Sequence, residues 1–139
     1  MAAQRVRLER ARRRLHGVGG RSTEHRARVL AVLTEAGRPL SHQELTARLA
    51  PIDKVTLYRV LDWLVAQGIA HRLAGSDRIW RFAVAAASHA GHAHFECSRC
   101  CKVMCLGQIP ANALLFGVPR GCRLEGVELT AKGLCSQCA

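Results

Sequence analysis

The chain has 139 residues, of which 49 % are apolar, and its formal charge at pH 7 is +11. This length suits one medium domain or two small ones, and no apolar run approaches the roughly 20 residues of a membrane span. The first residues have the charge of a signal peptide but no apolar stretch behind it, so we expect a cytoplasmic protein with no membrane partner. Residues 1–82 carry +9 and residues 83–139 carry +2, and a basic half is expected of a nucleic-acid binder.

The basic half contains four segments with a helical pattern. Residues 1–20 form an arginine-rich N-terminal arm, in which Leu8, Ala11 and Leu15 have the spacing of an amphipathic helix, although a disordered arm fits the composition too. Three further helices are predicted in "TEHRARVLAVLTEAG", "SHQELTARLA" and "DKVTLYRVLDWLVAQG". Each of the three has apolar residues at the spacing of a buried helix face.

Local signals set the ends and faces of these helices. Of these three helices, the second, "SHQELTARLA", begins with a capping-box signature at Ser41 and Glu44. His42 is expected to be exposed there. Asp53 is a candidate N-cap of the third helix. Opposite the apolar stripe of that third helix, the outward-facing residues include Thr56, Tyr58 and Arg59.

A hairpin follows the third helix. The stretch "IAHRLAGSDRIWRFAV" has β-branched and aromatic residues on both sides of a turn at Gly75–Asp77. Three helices and a basic hairpin predict a winged helix-turn-helix domain over residues 21–84. In such a domain the third helix enters the major groove of DNA and the wing lies along the backbone.

The C-terminal part has a different composition. Residues 85–91, "AAASHAG", are a predicted hinge, and residues 92–139 are a predicted small α/β domain. Strands are expected in "HFECSRCCKVMCL" and in "CRLEGVELTAKGLC", with a short helical stretch at residues 111–116. The predicted fold class is therefore α+β.

All seven cysteines lie in this C-terminal part, and 34 residues separate two C-x-x-C pairs. Two such pairs complete a tetrahedral zinc site, whereas a thioredoxin-like redox pair would need one C-x-x-C at the mouth of a βαβ unit. An odd number of thiols in a reducing compartment also argues against a disulfide framework. We interpret Cys122 as a small buried residue and assign no role to Cys101. The predicted ligands of the structural zinc are Cys97, Cys100, Cys135 and Cys138.

The stretches "VTLYRVLDWLVAQGI", "HAHFECSRCCKV" and "GLCSQC" together resemble the ferric uptake regulator family of metal-responsive repressors, and most closely its zinc uptake regulators. The resemblance covers about residues 22–138. It implies a homodimer with an N-terminal winged helix and a C-terminal dimerisation domain, which binds a palindromic double-stranded DNA operator when it is loaded with metal. It also implies DNA contacts by Tyr58 and Arg59, and a minor-groove contact by Arg21. Thr56 shares the outward face and is included in the predicted DNA-binding set.

The regulatory metal site departs from the family's iron sensors. Where those sensors place a histidine before the second helix, a glutamate at the end of the wing and an acid after the first knuckle, this sequence has Pro39, Arg81 and Cys105. A mixed nitrogen and sulfur site suits Zn²⁺ better than Fe²⁺ or Mn²⁺. Of the family's metal-site histidines, His92 and His94 are kept, and His71 matches a ligand position of its zinc uptake regulators. We therefore predict a second, regulatory Zn²⁺, held by a sensor set drawn from His71, His89 or His92, His94 and Cys105.

The predicted function is a zinc-responsive transcriptional repressor of metal-uptake genes, with no enzymatic activity. One alternative is an iron- or peroxide-responsive regulator of the same family. A second alternative, from another class, is a thiol redox protein that uses Cys100, Cys101 or Cys105. A third is a zinc-ribbon module that binds RNA without metal dependence.

Overall fold

The computed structural model describes residues 1–84, 92–108, 117–124 and 129–139. These ranges fall into two compact units, Met1–Ala85 and Ala86–Ala139. No helix in these ranges is long and apolar enough to cross a membrane. The elements of the first unit are α1 (Ala2–Gly17), α2 (Glu24–Ala36), β1 (Leu40–Ser41), α3 (His42–Leu49), α4 (Lys54–Ala66), β2 (Ala70–Ala74) and β3 (Trp80–Val84).

The helices of the first unit begin at the side-chain caps that the sequence predicts. The capping box of α3 is complete, since the Glu44 N–H donates to the Ser41 hydroxyl at 3.2 Å and the Ser41 N–H donates to the Glu44 carboxylate at 2.9 Å. Asp53 caps α4 by accepting a bond from the Thr56 N–H at 2.9 Å. These bonds satisfy backbone donors that have no partner inside the helix.

A leucine-rich core joins the four helices. Leu30, Leu45 and Leu61 are fully buried, one from each of α2, α3 and α4. Burial of such a side chain contributes about 1.5–3 kcal/mol. The predicted apolar stripes are therefore confirmed as core faces.

The arginine-rich N-terminal residues are a helix packed on this core, so the disordered alternative is wrong for them. Ala11 and Leu15 of α1 are buried in the same cluster as the leucines of α2. Ion pairs join the outer face of α1 to α2, from Arg7 to Glu35 and from Arg12 to Glu24.

The predicted hairpin is confirmed, and it belongs to a three-stranded sheet of order β1-β3-β2. β2 and β3 are antiparallel, with Leu73 opposite Arg81. The two-residue β1 was not predicted, because the sequence indicates a turn there. It pairs with β3 through Leu40 and Phe82, which are both buried.

The second unit contains a sheet of order β5-β4-β6, made of β4 (His92–Cys97), β5 (Val103–Gln108) and β6 (Leu129–Gly133). β4 is antiparallel to β5 and parallel to β6. The strands predicted in this part and the α+β class are confirmed. The predicted hinge at residues 85–91 and the predicted helical stretch at residues 111–116 lie outside the described residues.

Candidate metal centre and nucleic-acid interface

The four cysteines of the two C-x-x-C pairs meet at one point of the second unit. Their sulfur atoms all lie within 4.8 Å of one another. Cys97 ends β4, and the turn after it closes through a 2.9 Å bond from the Cys101 N–H to the Cys97 carbonyl, with Cys101 at a φ of 58°. The Ala139 N–H donates in the same way to the Cys135 carbonyl at 2.8 Å. Two similar knuckles thus direct their sulfurs at each other.

Bonds of the chain itself hold the two knuckles together. The Arg99 guanidinium donates to the Cys138 carbonyl at 2.8 Å, and the Ser98 N–H donates to the Gly133 carbonyl at 2.7 Å. These bonds bridge residues far apart in sequence and hold the two knuckles side by side.

The cluster fits a tetrahedral cation with thiolate ligands. Zn–S bonds of about 2.3 Å place neighbouring sulfurs about 3.8 Å apart, and the sulfurs of Cys100 and Cys135 are 3.8 Å apart. Backbone N–H groups of Cys100 and Cys135 lower the pKa of the Cys97 thiol to about 6, whereas the hydrogen bond with Cys135 raises the pKa of the Cys138 thiol to about 12. Four such sulfurs ionise together when a divalent cation compensates their charge.

Two members of the predicted sensor set are neighbours in the second unit. His94 on β4 and Cys105 on β5 lie directly opposite each other, next to a register shift between Ala93 and His94. Residues opposite each other in an antiparallel pair have Cβ atoms about 4.5–5.5 Å apart on one face of the sheet. Burial raises the pKa of the Cys105 thiol. A metal ligated there would have to displace that proton.

The described structure does not test the other members of the sensor set. His71 lies on β2 of the first unit, opposite Ala83. His92 begins β4, and its backbone pairs with that of Gln108. His89 lies outside the described residues. The complete sensor set therefore stays a prediction.

The sequence did not predict the placement of two further residues of the second unit. Cys122 is exposed, so its assignment as a small buried residue is wrong. Glu96, two residues after His94, has only 4 % of its surface exposed and lies opposite Lys132 of the edge strand β6. A buried acid follows from no local signal, because an acidic residue at the end of a strand is ordinarily exposed.

In the first unit, α4 presents the predicted DNA-contacting residues. Its inner stripe is buried, whereas Tyr58 has 51 % of its surface exposed and Arg59 is exposed beside it. Thr56 is half-buried, and its hydroxyl donates to the Asp53 carboxylate that caps the helix. The exposed pair offers a ring for a thymine methyl and a guanidinium for a phosphate or a guanine.

His42 was expected to be exposed at the start of α3, and this is wrong. It is partly buried, and its ring stacks on the Tyr58 ring with centroids 3.9 Å apart and planes at 19°. The sequence gives no sign of this contact, since it joins residues of two different helices.

The segment before α2 carries Arg21 and is fixed to the side of α4. The Arg26 guanidinium lies 3.7 Å from the centroid of the Trp63 ring and donates to the Arg21 carbonyl at 2.7 Å. Gly20 packs so closely on the same ring that a Cβ there would lie 2.4 Å from Cζ2 of Trp63. The exposed Arg21 is thus held close to the side of α4.

The hairpin combines exposed apolar and basic groups with one buried ion pair. Trp80 is half exposed, and the Arg72 guanidinium lies 4.6 Å from its ring centroid. Arg81 is buried and donates two bonds to the Asp77 carboxylate, at 3.0 and 2.8 Å, which lower the pKa of Asp77 to about 2. A buried, paired guanidinium is unsuited to ligating a cation, in line with the departure noted at this position of the wing.

Comparisons with known proteins agree with this geometry. Residues 17–114 match the sequence model of the Ferric uptake regulator family. A curated Ferric uptake regulation protein of Helicobacter pylori (strain ATCC 700392 / 26695) is 32 % identical over 101 residues, which are 70 % of this chain and 66 % of that protein. The match therefore spans just under two thirds of that relative's length.

Two solved structures illustrate the similarity of fold. The structure of the Helicobacter pylori ferric uptake regulator, described as revealing three functional metal binding sites, aligns with a TM-score of 0.65 at 22 % identity and covers 97 % of this chain and 93 % of that one. A zinc uptake regulator complexed with zinc and DNA aligns with a TM-score of 0.61 at 21 % identity and covers 96 % and 93 %. At these identities the likeness establishes the fold.

Proposed function

The chain belongs to the ferric uptake regulator family, and on this premise we propose that it is a metal-dependent, DNA-binding transcription regulator with no enzymatic activity. The observation that carries the proposal is the exposure of Tyr58 and Arg59 on the recognition helix of a strongly basic winged helix. A relative of the same fold is described in complex with zinc and DNA, which supports the same partner here.

The DNA partner is a palindromic duplex read by a homodimer. Two copies of α4, related by a two-fold axis, contact two half-sites in successive major grooves. Arg59 forks onto phosphate or guanine, Tyr58 packs on a thymine methyl, and Arg21 reaches the minor groove from the side of α4. Thr56 contributes less, because its hydroxyl is engaged by the N-cap of its own helix.

The four-cysteine cluster is a structural zinc site. Cys97, Cys100, Cys135 and Cys138 hold the end of β4 against the chain's last residues. Thiolate ligation favours zinc over the hard, oxygen-preferring cations. A bound Zn²⁺ supplies folding free energy to the unit rather than chemistry.

The sensed metal is zinc, with repression of metal-uptake genes as the response. The opposed His94 and Cys105 offer one nitrogen and one sulfur on the same face of a sheet, and His71 with His89 or His92 completes a four-coordinate set. Such a set suits Zn²⁺ better than Fe²⁺. Metal that binds one arrangement of the dimer better than the others favours the arrangement in which both recognition helices fit the operator.

The test is operator binding as a function of free metal. An operator is first selected from a pool of random duplexes by the zinc-loaded protein, and binding to it is then titrated with Zn²⁺ and, without oxygen, with Fe²⁺. Cys105→Ala is compared with the wild type, and Cys122→Ala, whose cysteine is exposed outside the cluster, is the matched control.

We expect Cys105→Ala to need at least about 10-fold more free zinc for half-maximal binding, as is typical when a metal site is weakened, and Cys122→Ala to behave as the wild type. An unchanged zinc dependence removes Cys105 from the sensor set. Saturation by Fe²⁺ at lower free concentration than by Zn²⁺ supports the iron-responsive alternative. Rapid reaction of all seven thiols in the zinc-loaded protein favours the redox alternative, and equal binding of RNA without metal favours the zinc-ribbon alternative.

A further inference from the structure

The ring of Tyr58 is covered on one face by a residue of another helix. His42 is the first residue of α3, and its imidazole stacks on Tyr58 of α4 with ring centroids 3.9 Å apart and an angle of 19° between the ring planes. Tyr58 keeps 51 % of its surface exposed. One ring face is therefore occupied by protein while part of the ring remains open to solvent.

His42 is itself well anchored. The capping box at Ser41 and Glu44 fixes the backbone just before and after it, and its carbonyl accepts a 3.0 Å bond from the Thr46 hydroxyl. The imidazole Nε2 is buried and has no hydrogen-bond partner within the described ranges. The ring is thus held in place by packing and by its helix.

The surroundings of the stacked imidazole favour its neutral form. Burial, and secondarily the charge of Lys54, lower the pKa of His42 below its ordinary value. A neutral ring stacks on a phenol without drawing counter-ions to the surface, and offset aromatic pairs add to the packing of the rings.

We propose that His42 is a positioning residue for DNA recognition, which fixes the Tyr58 ring in its base-contacting orientation before DNA binds. The proposal rests on the proposed function, since it assumes that Tyr58 reads a base. An unsupported tyrosine at the surface samples several rotamers, and ordering it on binding weakens affinity. For one side chain the cost corresponds to about a 3- to 10-fold change in Kd.

If His42 has this role, its substitution should reduce base selectivity more than it reduces general affinity for DNA. Without the stack, the contact of Tyr58 with its thymine weakens, and selectivity for that base pair falls. Phosphate contacts do not depend on the stack and carry no base preference. Binding to an unrelated duplex should therefore change little.

The first test needs no DNA. Tyr58 is the chain's one tyrosine, so ring-labelled tyrosine gives a single, unambiguous set of aromatic NMR signals in the full-length, zinc-loaded protein. We expect the Tyr58 ring protons of the wild type to be shifted by the imidazole ring current and to move towards free-tyrosine values in His42→Ala. Identical Tyr58 spectra in the two proteins would overturn the proposal.

The second test is a double-mutant cycle on the selected operator. His42→Ala should weaken operator binding about 3- to 10-fold in the wild type, and His42→Phe, which keeps a ring at this position, should restore most of it. His16→Ala, at an exposed histidine of α1, is the control for removal of an imidazole. In a Tyr58→Ala background, His42→Ala should have no further effect.

The outcomes separate the inference from the proposed function. If Tyr58→Ala leaves operator binding unchanged, the assumed base contact of Tyr58 is wrong, and the inference fails with it. If Tyr58→Ala weakens binding but His42→Ala does not, or His42→Ala weakens it equally in both backgrounds, the proposed function stands and the inference fails. A lowered Tm of His42→Ala with unchanged base preference would show a purely structural role and would also overturn it.

Discussion

The substitution Gly20→Ala should disrupt the contact between the segment before α2 and the helix α4. An added Cβ would lie 2.4 and 2.5 Å from Cζ2 and Cη2 of Trp63. Ordinary carbon–carbon contacts are about 3.5–4.0 Å. The methyl group therefore overlaps the ring by more than about 1 Å, and either the segment or the ring must move.

The free-energy cost of this overlap can be bounded. Overpacking by one methyl group typically destabilises a protein by about 1–3 kcal/mol, and a displaced Trp63 ring would also lose its contact with the Arg26 guanidinium, worth about 0.5–1 kcal/mol at an exposed site. A loss of about 2 kcal/mol lowers the Tm of a unit of this size by about 8–16 °C. Operator affinity should fall as well, because Arg26 holds the carbonyl of Arg21.

Tryptophan fluorescence is a suitable assay, since both tryptophans of the chain, Trp63 and Trp80, lie in the first unit. Thermal unfolding followed by their emission reports that unit in the full-length protein. Gly17→Ala is the matched control, because a Cβ there meets nothing within 4 Å, and Ala at this helical position should be neutral or stabilising by up to about 1 kcal/mol. If Gly20→Ala unfolds at or above the wild-type temperature, the contact between Gly20 and Trp63 is absent and the reasoning is refuted.

Two further predictions concern the zinc cluster and the wing. Cys135→Ser should lose one tightly bound zinc per chain, whereas Cys122→Ser should keep it. The zinc content is measured by mass spectrometry of metals after gel filtration. An unchanged zinc content in Cys135→Ser would contradict the four-cysteine site. Asp77→Asn should lower the Tm near pH 7 because Arg81 loses its partner. The depressed pKa of Asp77 means that this contribution is complete above the ordinary pKa of 3.8 and disappears as the pH falls towards about 2. The Tm difference between the two proteins should narrow over that range, and a difference independent of pH would count against the ion pair.

Much of the first unit could be predicted from sequence because its determinants are local. The capping box at Ser41 and Glu44, and the cap at Asp53, lie within a few residues of the backbone groups that they satisfy. The buried stripes repeat with the helical period, so the core faces follow from spacing alone. The convergence of the cysteines was predictable as well, because two C-x-x-C pairs have few other uses in such a chain.

The features that escaped prediction are side-to-side contacts between separate elements. The stack of His42 on Tyr58 and the packing of Gly20 on Trp63 depend on how α3, α4 and the preceding segment lie against each other. No periodicity or motif encodes these distances. The burial of Glu96 likewise follows from the assembly of its sheet and not from its neighbours in sequence.

The supports of the proposed DNA-contacting residues and the cysteine cluster lie in different units of the molecule. The supports of the proposed DNA-contacting residues, His42 under Tyr58 and the Arg26–Trp63 pair behind Arg21, lie entirely within Met1–Ala85. The four-cysteine cluster lies entirely within Ala86–Ala139. Because the contacts that support the proposed DNA-contacting residues lie within one unit, we expect base preference within a half-site to depend little on metal. In the proposed regulator, the bound metal would act on the population of dimers in which two such surfaces fit both half-sites together. In a regulator built in this way, we expect loss of the sensed metal to lower affinity for the whole palindrome while the preferred half-site sequence remains the same.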